Sequence, residues 1–299
     1  MWARPERCQE SNGTPGIQTS TGKDDVLAWG VEECIAWHTP LDYFSQRPIA
    51  WTRGTESQDA QGNTTYVDQR VWTTGIKLAG EEIDVLLLNG DTGEVERQIA
   101  IPADDVGMTR LTEFSAYGGA VDGEDDFWFH ALAGNGELVR VDFDDMSYTV
   151  YKKPYVSGYG IAVDANGRVW SCHGTTERFD PTTEAWEQAS TPTNTAGCMP
   201  DGEGRLWAAG RGLNGGGSIV AIDIETMEFV VEYPLPDMPK GTSIDFDGYV
   251  WGVAIHDEAA YKIDPETGEF ETYDGLTGPY TYSDMTGFGL QNAGTAPVE

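Results

Sequence analysis

The chain has 299 residues, of which 39% are hydrophobic and 11% aromatic, so it has enough apolar material for a large core and is not a disordered polypeptide. Lys and Arg number 18 against 50 Asp and Glu, and the resulting net charge of −32 disfavours binding to nucleic acid or to an anionic membrane surface. No stretch approaches the ~18 apolar residues of a membrane span. Such an acidic surface is typical of a soluble protein, of a halophilic protein in salty water, or of one that collects cations.

The first part of the chain is predicted to contain a short extension followed by strands. Residues 1–23 are the predicted extension, residues 24–292 a single domain, and residues 293–299 a C-terminal tail. After two short apolar stretches at 25–29 and 34–37, the first complete four-strand unit is predicted at residues 47–51, 70–72, 84–88 and 95–99, with a polar insertion at 55–63.

Four further segments repeat one pattern, in which Gly, Asp, Gly and a strand-borne Trp follow at nearly fixed spacing. The clearest copy runs from Gly160 through Asp164 and Gly167 to Trp170, and the repeated tryptophans are Trp128, Trp170, Trp207 and Trp251. Asp accepts hydrogen bonds from turn amides and Gly accepts positive φ, so these residues predict tight turns between short strands. We interpret the tryptophans as packing between repeats, and a dedicated calcium loop does not fit the spacing of the aspartates.

Four-stranded units at intervals of about 40 residues predict a β-propeller. The predicted fold is all-β, a six-bladed β-propeller of four-stranded antiparallel blades, with seven blades as the main alternative. The last blade is predicted to be closed by the two head stretches together with tail strands at 280–283 and 287–290. Such closure would remove exposed strand edges.

The four cysteines leave two alternatives open. Their spacing matches no zinc site, so they are either free buried thiols or two disulfides, Cys8–Cys34 and Cys172–Cys198. The disulfides would place the protein outside the cytoplasm. The first residues lack a signal-peptide core, so the chain is either a cytoplasmic protein or a mature, processed form. We favour a secreted, periplasmic or cell-surface location over the cytoplasm.

The repeated Gly-x-x-x-Asp-x-x-Gly-x-x-Trp pattern, followed by Ile-Asp-Pro-x-Thr-Gly, resembles the streptogramin lyase (virginiamycin B lyase)-like and NHL-type propellers from about residue 26 to residue 290. The acidic, lipoprotein-like character also resembles secreted propellers of marine bacteria. The resemblance implies a propeller whose lyase members open a cyclic depsipeptide with magnesium, using His and Glu at the mouth of the ring. In this chain His173 stands at the position that matches that Glu, and no Glu does.

The predicted site lies at the mouth of the ring, where inner strands begin and second strands end, because such concave mouths are the usual ligand sites. His173 and His256 are the candidate catalytic residues, and Asp284 is the candidate ligand of Mg²⁺ or Ca²⁺. The candidate ligand-binding residues are Arg47, Tyr117, His130, Tyr159, Arg211, Lys240 and Tyr282. Basic and tyrosine side chains together would hold an anionic or polar ligand.

Two functions are compatible with this pattern. The favoured one is an exported binding or assembly module whose partner is a protein, a second copy of the chain or a small polar ligand, held at the mouth or rim without a cofactor. The alternative is a metal-assisted lyase or hydrolase that acts on a cyclic ester or a sugar-like substrate. Because one fold serves many activities, the repeats alone do not choose between them.

Overall fold

A computed structural model describes residues 8–279 except positions 22–24, 59, 61, 63, 78–79, 109, 133–136, 155–157, 212–215 and 246. The described chain is almost entirely β-structure, with one 3-10 turn at Ala103–Val106. No helix in that part of the chain is long and apolar enough to cross a membrane.

Five four-stranded antiparallel sheets follow one another in the described residues, and we number them blades 1 to 5. Blade 1 consists of β1 (Ile49–Trp51), β4 (Arg70–Ile76), β5 (Glu82–Asn89) and β6 (Val95–Pro102); its predicted polar insertion is the hairpin of β2 (Thr55–Gln58) and β3 (Thr64–Val67). Blade 2 consists of β7 (Gly118–Val121), β8 (Phe127–His130), β9 (Leu138–Val141) and β10 (Tyr148–Tyr151).

The next three blades keep the same order of strands. Blade 3 consists of β11 (Gly160–Val163), β12 (Val169–His173), β13 (Thr175–Asp180) and β14 (Ala185–Ala189). Blade 4 consists of β15 (Thr195–Pro200), β16 (Arg205–Arg211), β17 (Gly217–Asp223) and β18 (Phe229–Leu235). Blade 5 consists of β19 (Pro239–Ile244), β20 (Val250–Ala254), β21 (Ala259–Ile263) and β22 (Phe270–Asp274). The first strands of successive blades, β1, β7, β11, β15 and β19, contact one another in that order and form the inner wall.

The all-β propeller class predicted from the repeats is confirmed, with blades that match a six-bladed ring. The predicted sixth blade combines head and tail strands, and the tail strands at 280–283 and 287–290 lie outside the described residues. In the head, Asp25 and Ile35 are single bridge residues instead of members of longer strands. A side chain accounts for this difference, because the Glu33 carboxylate accepts hydrogen bonds from the backbone N–H of Ser11 (2.6 Å) and of Gln18 (2.8 Å), which shapes the head into a loop.

The repeated turns work as the sequence predicts. In blade 3, Oδ1 of Asp164 accepts the backbone N–H of Asn166 and of Arg168, at 2.9 and 3.0 Å, and Oδ2 accepts Nε1–H of Trp170 at 2.9 Å. The same contact from Asp to Trp recurs in blades 2, 4 and 5, with lengths of 2.8, 2.7 and 2.8 Å. The repeat therefore fixes the turn at one end of each blade and orients a large ring into the packing between blades.

Both predicted disulfides are present. Cys8–Cys34 closes the head loop, and Cys172–Cys198 joins β12 of blade 3 to β15 of blade 4. The described chain contains no free cysteine. The alternative of buried thiols is therefore wrong for this structure.

Candidate functional site at the ring mouth

The mouth of the ring is the face at which the inner strands begin and the second strands end. In blade 2 the two positions meet directly, because Tyr117 donates its backbone N–H to the carbonyl oxygen of His130 at 2.8 Å. In blade 3, Gly160 at the start of β11 pairs with Cys172 near the end of β12, and His173 follows at the tip. Antiparallel pairing thus brings the residues before each inner strand to the same level as the last residues of the second strand.

An array of aromatic and basic side chains covers this level across three blades. The rings of Tyr117 and Tyr159 lie 5.4 Å apart between centroids, and the rings of Tyr159 and His173 lie 6.0 Å apart. Nζ of Lys240, from blade 5, is 5.6 Å from the centroid of the Tyr159 ring. Both tyrosines are about 95% buried, so they form a rigid aromatic floor under the charged groups.

Arg47 continues the array toward blade 1. Its guanidinium carbon lies 5.2 Å from the centroid of the Tyr117 ring and 4.8 Å from that of Phe114, and its Nε donates to the carbonyl oxygen of Glu113 at 2.8 Å. Sequence reasoning missed Phe114, which lies in a connection between blades and belongs to no repeat. A cavity of about 710 Å³ lies next to Glu113 and is also lined by Phe44, Lys77, Arg110 and Leu111.

The backbone at the mouth is shaped to bring these side chains together. The pairing of β19 with β20 shifts by one residue between Pro239 and Thr242. The extra residue on β19 makes a β-bulge that contains Lys240. At Gly160 an added Cβ would lie 2.7 Å from the Cα of Gly197, so glycine at both positions lets the inner strands of blades 3 and 4 approach closely.

The basic groups at the mouth raise one another's electrostatic energy. Burial and then the charge of Arg211 lower the pKa of Lys240. Burial, followed by the charges of Lys240 and Lys153, lowers the pKa of His173. None of Arg211, His173 and Lys240 forms an ion pair with a carboxylate that the structure describes. Arg211, His173 and Lys240 therefore bring basic groups together in the described part of the mouth, on a protein whose overall charge is −32.

Two predicted histidines have surroundings that differ from those of His173. His130 is only 1% exposed, and its Nδ1 lies 3.0 Å from the carbonyl oxygen of Ala131. His256 is largely exposed, and the Asp237 carboxylate binds both its Nδ1 (2.9 Å) and its backbone N–H (2.7 Å). His130 thus lies beneath the surface of the mouth, and His256 is fixed to the loop before β19.

The structure therefore brings together most of the predicted ligand-binding residues. Arg47, Tyr117, Tyr159 and Lys240 share the array with His173, and Arg211 is close enough to act on Lys240. Tyr282 and Asp284 lie outside the described residues. Among the residues that are described, no three His, Cys, Asp or Glu side chains converge as metal ligands. Because Asp284 is not among the described residues, the expected Mg²⁺ or Ca²⁺ ion stays a prediction, and we assign no chemical step to a metal.

These features define a β-propeller with a basic, aromatic mouth. No protein-family model and no curated protein matches the chain. Among solved structures it is similar to virginiamycin B lyase from Staphylococcus aureus, at 18% identity and a TM-score of 0.57, with 79% of this chain and 73% of that chain covered. A streptogramin B lyase is similar at 21% identity and a TM-score of 0.58, with coverages of 80% and 72%.

A third similar structure is hydrazine synthase from Kuenenia stuttgartiensis, at 15% identity and a TM-score of 0.55, with 81% of this chain and 71% of that chain covered. At such identities the similarity shows the fold alone. It confirms the streptogramin lyase-like propeller fold that the repeats predict.

Proposed function

We propose that the protein is an exported binding module that holds a small anionic ligand at the mouth of its propeller. The observation that carries the proposal is the position of Lys240. Its ammonium group lies over the Tyr159 ring, its pKa is lowered by burial and by Arg211, and it has no carboxylate partner in the described part of the chain. An anion would relieve the repulsion between these cations and would accept charge-assisted hydrogen bonds from them.

The aromatic floor favours a particular kind of anion. The rings of Tyr117 and Tyr159 are buried beneath the cations and support them at the mouth, so a small carboxylate would place its oxygens against Lys240 and Arg211. Export is supported by the two disulfides, which persist in oxidising compartments. A protein partner that presents an acidic side chain would use the same contacts, and we propose the small ligand because the groups converge at the mouth.

Isothermal titration calorimetry with oxalate, followed by inorganic phosphate, tests the proposal. We expect saturable binding of oxalate to the wild-type chain and a loss of affinity of at least about 10-fold in Lys240→Met, since a hydrogen bond to a charged group contributes about 1.5–3 kcal/mol. Lys262→Met is the matched control. It removes the same charge from a lysine that lies over the Tyr249 ring, 4.0 Å from the centroid, and 3.8 Å from Asp245 Oδ2, away from the mouth.

The proposal fails if neither anion gives saturable heat, or if both lysine variants weaken binding equally. In the second case the net charge of the protein, and not a site at the mouth, would control the interaction.

A further inference from the structure

The interface between blades 2 and 3 has a polar layer at its mouth end. Cys172 faces blade 4, because it is bonded to Cys198, so the alternating residues Ser171 and His173 face blade 2. Glu177 pairs with Ser171 across β12 and β13 and is therefore on the same face. His130 is two residues beyond Trp128, whose ring packs in the same cluster as Ile161 and Phe179 of blade 3, so His130 faces this interface from the other side.

Lys153 enters this layer from the connection between β10 and β11. Its backbone N–H donates to Oε2 of Glu137 at 2.6 Å, and its Nζ lies 3.5 Å from Oγ of Ser171. The side chain is half-buried, whereas that of Lys152, the preceding residue, is exposed. Glu177 is completely buried, and its carboxylate is close enough for its charge to act on the amine of Lys153.

The charged groups around Lys153 do not hold it as an ordinary ammonium ion. Glu137 and Glu177 favour the charged form, but burial outweighs both carboxylates and lowers the pKa of Lys153 to about 8. His130 and His173 face the same layer, and the charge of Lys153 contributes to lowering the pKa of each. About a tenth of the amine is therefore neutral at pH 7, and the neutral amine is the form that acts as a nucleophile.

His130 adds a hydrogen-bond acceptor to the layer. A carbonyl oxygen accepts only, so the contact with Ala131 requires that Nδ1 of His130 carries the proton. Nε2 then carries no proton and can only accept a hydrogen bond. It is buried and has no hydrogen-bond partner among the described residues. A buried acceptor without a partner is costly, and such groups mark places where a water or ligand atom would be stabilised.

We propose that Lys153 forms a reversible imine with a small anionic aldehyde or α-keto acid held at the mouth. The neutral amine attacks the carbonyl carbon and gives a carbinolamine. The carbinolamine then loses its hydroxyl group together with a proton from nitrogen, as water, and leaves a C=N bond. The overall change is amine plus carbonyl to imine plus water, with no oxidant or reductant. The inference rests on the proposed function in one respect, because Lys240 and Arg211 would hold the anionic group.

Reductive trapping tests this inference on the full chain. Glyoxylate and cyanoborohydride at pH 7 convert an imine to a stable secondary amine, and peptide mapping then compares the six lysines of the chain. A pKa that is lower by about 2.5 gives Lys153 roughly 300-fold more neutral amine than an ordinary lysine. We expect Lys153 to be modified at least about 30-fold faster than Lys152, after allowing for the lower nucleophilicity of the weaker base.

Two variants and a pH series complete the experiment. Lys153→Met should abolish the fast modification, and Lys152→Met, its matched neighbour, should leave it unchanged. If Lys153→Met does not fold, the pH series on the wild-type chain decides: the rate at Lys153 should reach half its maximum near pH 8. Equal rates at Lys152 and Lys153, or a half-maximum near pH 10, would overturn the inference.

A neutral aldehyde separates this inference from the proposed function. Glycolaldehyde resembles glyoxylate in size but carries no carboxylate. Fast modification of Lys153 by both aldehydes at equal rates would support the reactive amine and contradict the anionic site. Binding of oxalate without selective modification of Lys153 would support the anionic site and overturn the imine.

Discussion

Lys240 and Tyr159 belong to the inner edges of blades 5 and 3, yet Nζ of Lys240 lies 5.6 Å from the centroid of the Tyr159 ring. Blade 4 lies between them, and at the corresponding positions it has only Ala196 and Gly197. Neither of these residues has a side chain larger than a methyl group. The mouth is thus assembled from side chains of non-adjacent blades.

The Tyr159 ring is expected to keep Lys240 in this position. Tyr159→Leu removes the aromatic face, so we predict that oxalate binds about 5-fold more weakly, which corresponds to a cation–π contribution of about 1 kcal/mol. Tyr159→Phe keeps the face and should bind oxalate as the wild type does. Calorimetry on the three proteins checks the prediction, and equal affinities for all three would show that the ring has no part in positioning the charge.

The propeller core is expected to depend on one disulfide and not on the other. Both disulfides join cysteines 26 residues apart, so loop closure predicts the same stabilisation of about 3.5 kcal/mol for each. Cys172–Cys198 joins two blades, whereas residues 8–34 make their described hydrogen bonds within their own loop.

We therefore predict that Cys172→Ser with Cys198→Ser lowers the free energy of unfolding of the propeller by about 3.5 kcal/mol. Cys8→Ser with Cys34→Ser should leave the main transition in place. Urea unfolding followed by tryptophan fluorescence makes the comparison, and an equal loss in the two double variants would mean that the head unfolds together with the ring.

His130 is expected to make the protein less stable in mild acid. Burial, followed by the charge of Lys153, lowers the pKa of His130 to about 3, from 6.5 in a model compound. The unfolded state therefore binds a proton more readily than the folded state, and the stabilisation that is complete above pH 6.5 is lost progressively as the pH falls toward 3. His130→Asn keeps a donor toward Ala131 but does not titrate.

Urea unfolding of wild type and His130→Asn at pH 7.5, 5.5 and 4.5 measures this effect. The wild type should lose about 2–3 kcal/mol more than the variant between pH 7.5 and 4.5, because each pH unit below 6.5 contributes about 1.4 kcal/mol. Parallel losses in the two proteins would show that His130 is protonated equally in the folded and unfolded states.

The sequence predicts the blades well because their determinants are local. Asp164 and Trp170, for example, are separated by one turn, and the same two residue types recur at the same spacing in each copy. The head was harder to predict, since residues 25–29 and 34–37 have an apolar strand pattern that gives no sign of the backbone contacts made by Glu33. Those contacts form over 15 to 22 residues, beyond the range of any strand pattern.

The mouth could be predicted in part. Tyr117, Tyr159 and Lys240 each precede a repeat glycine, so their common level follows from the repeat. Lys153 and Phe114 lie in connections between blades, where no repeat fixes their position, and their role emerges only when the blades pack together. The sequence predicts that His130 lies at the level of the mouth. It does not predict that His130 is buried, because that burial depends on the neighbouring blade.

The most direct test of a basic, anion-binding mouth is the pKa of His173, measured by NMR with selectively labelled histidine. The four histidines can be assigned from single His→Gln variants. We predict a pKa below 6.5 in the free protein, because burial and the charges of Lys240 and Lys153 disfavour the imidazolium ion. Oxalate and, separately, Lys240→Met should each raise that pKa. An ordinary pKa in the free protein that neither change moves would contradict a basic, anion-binding mouth.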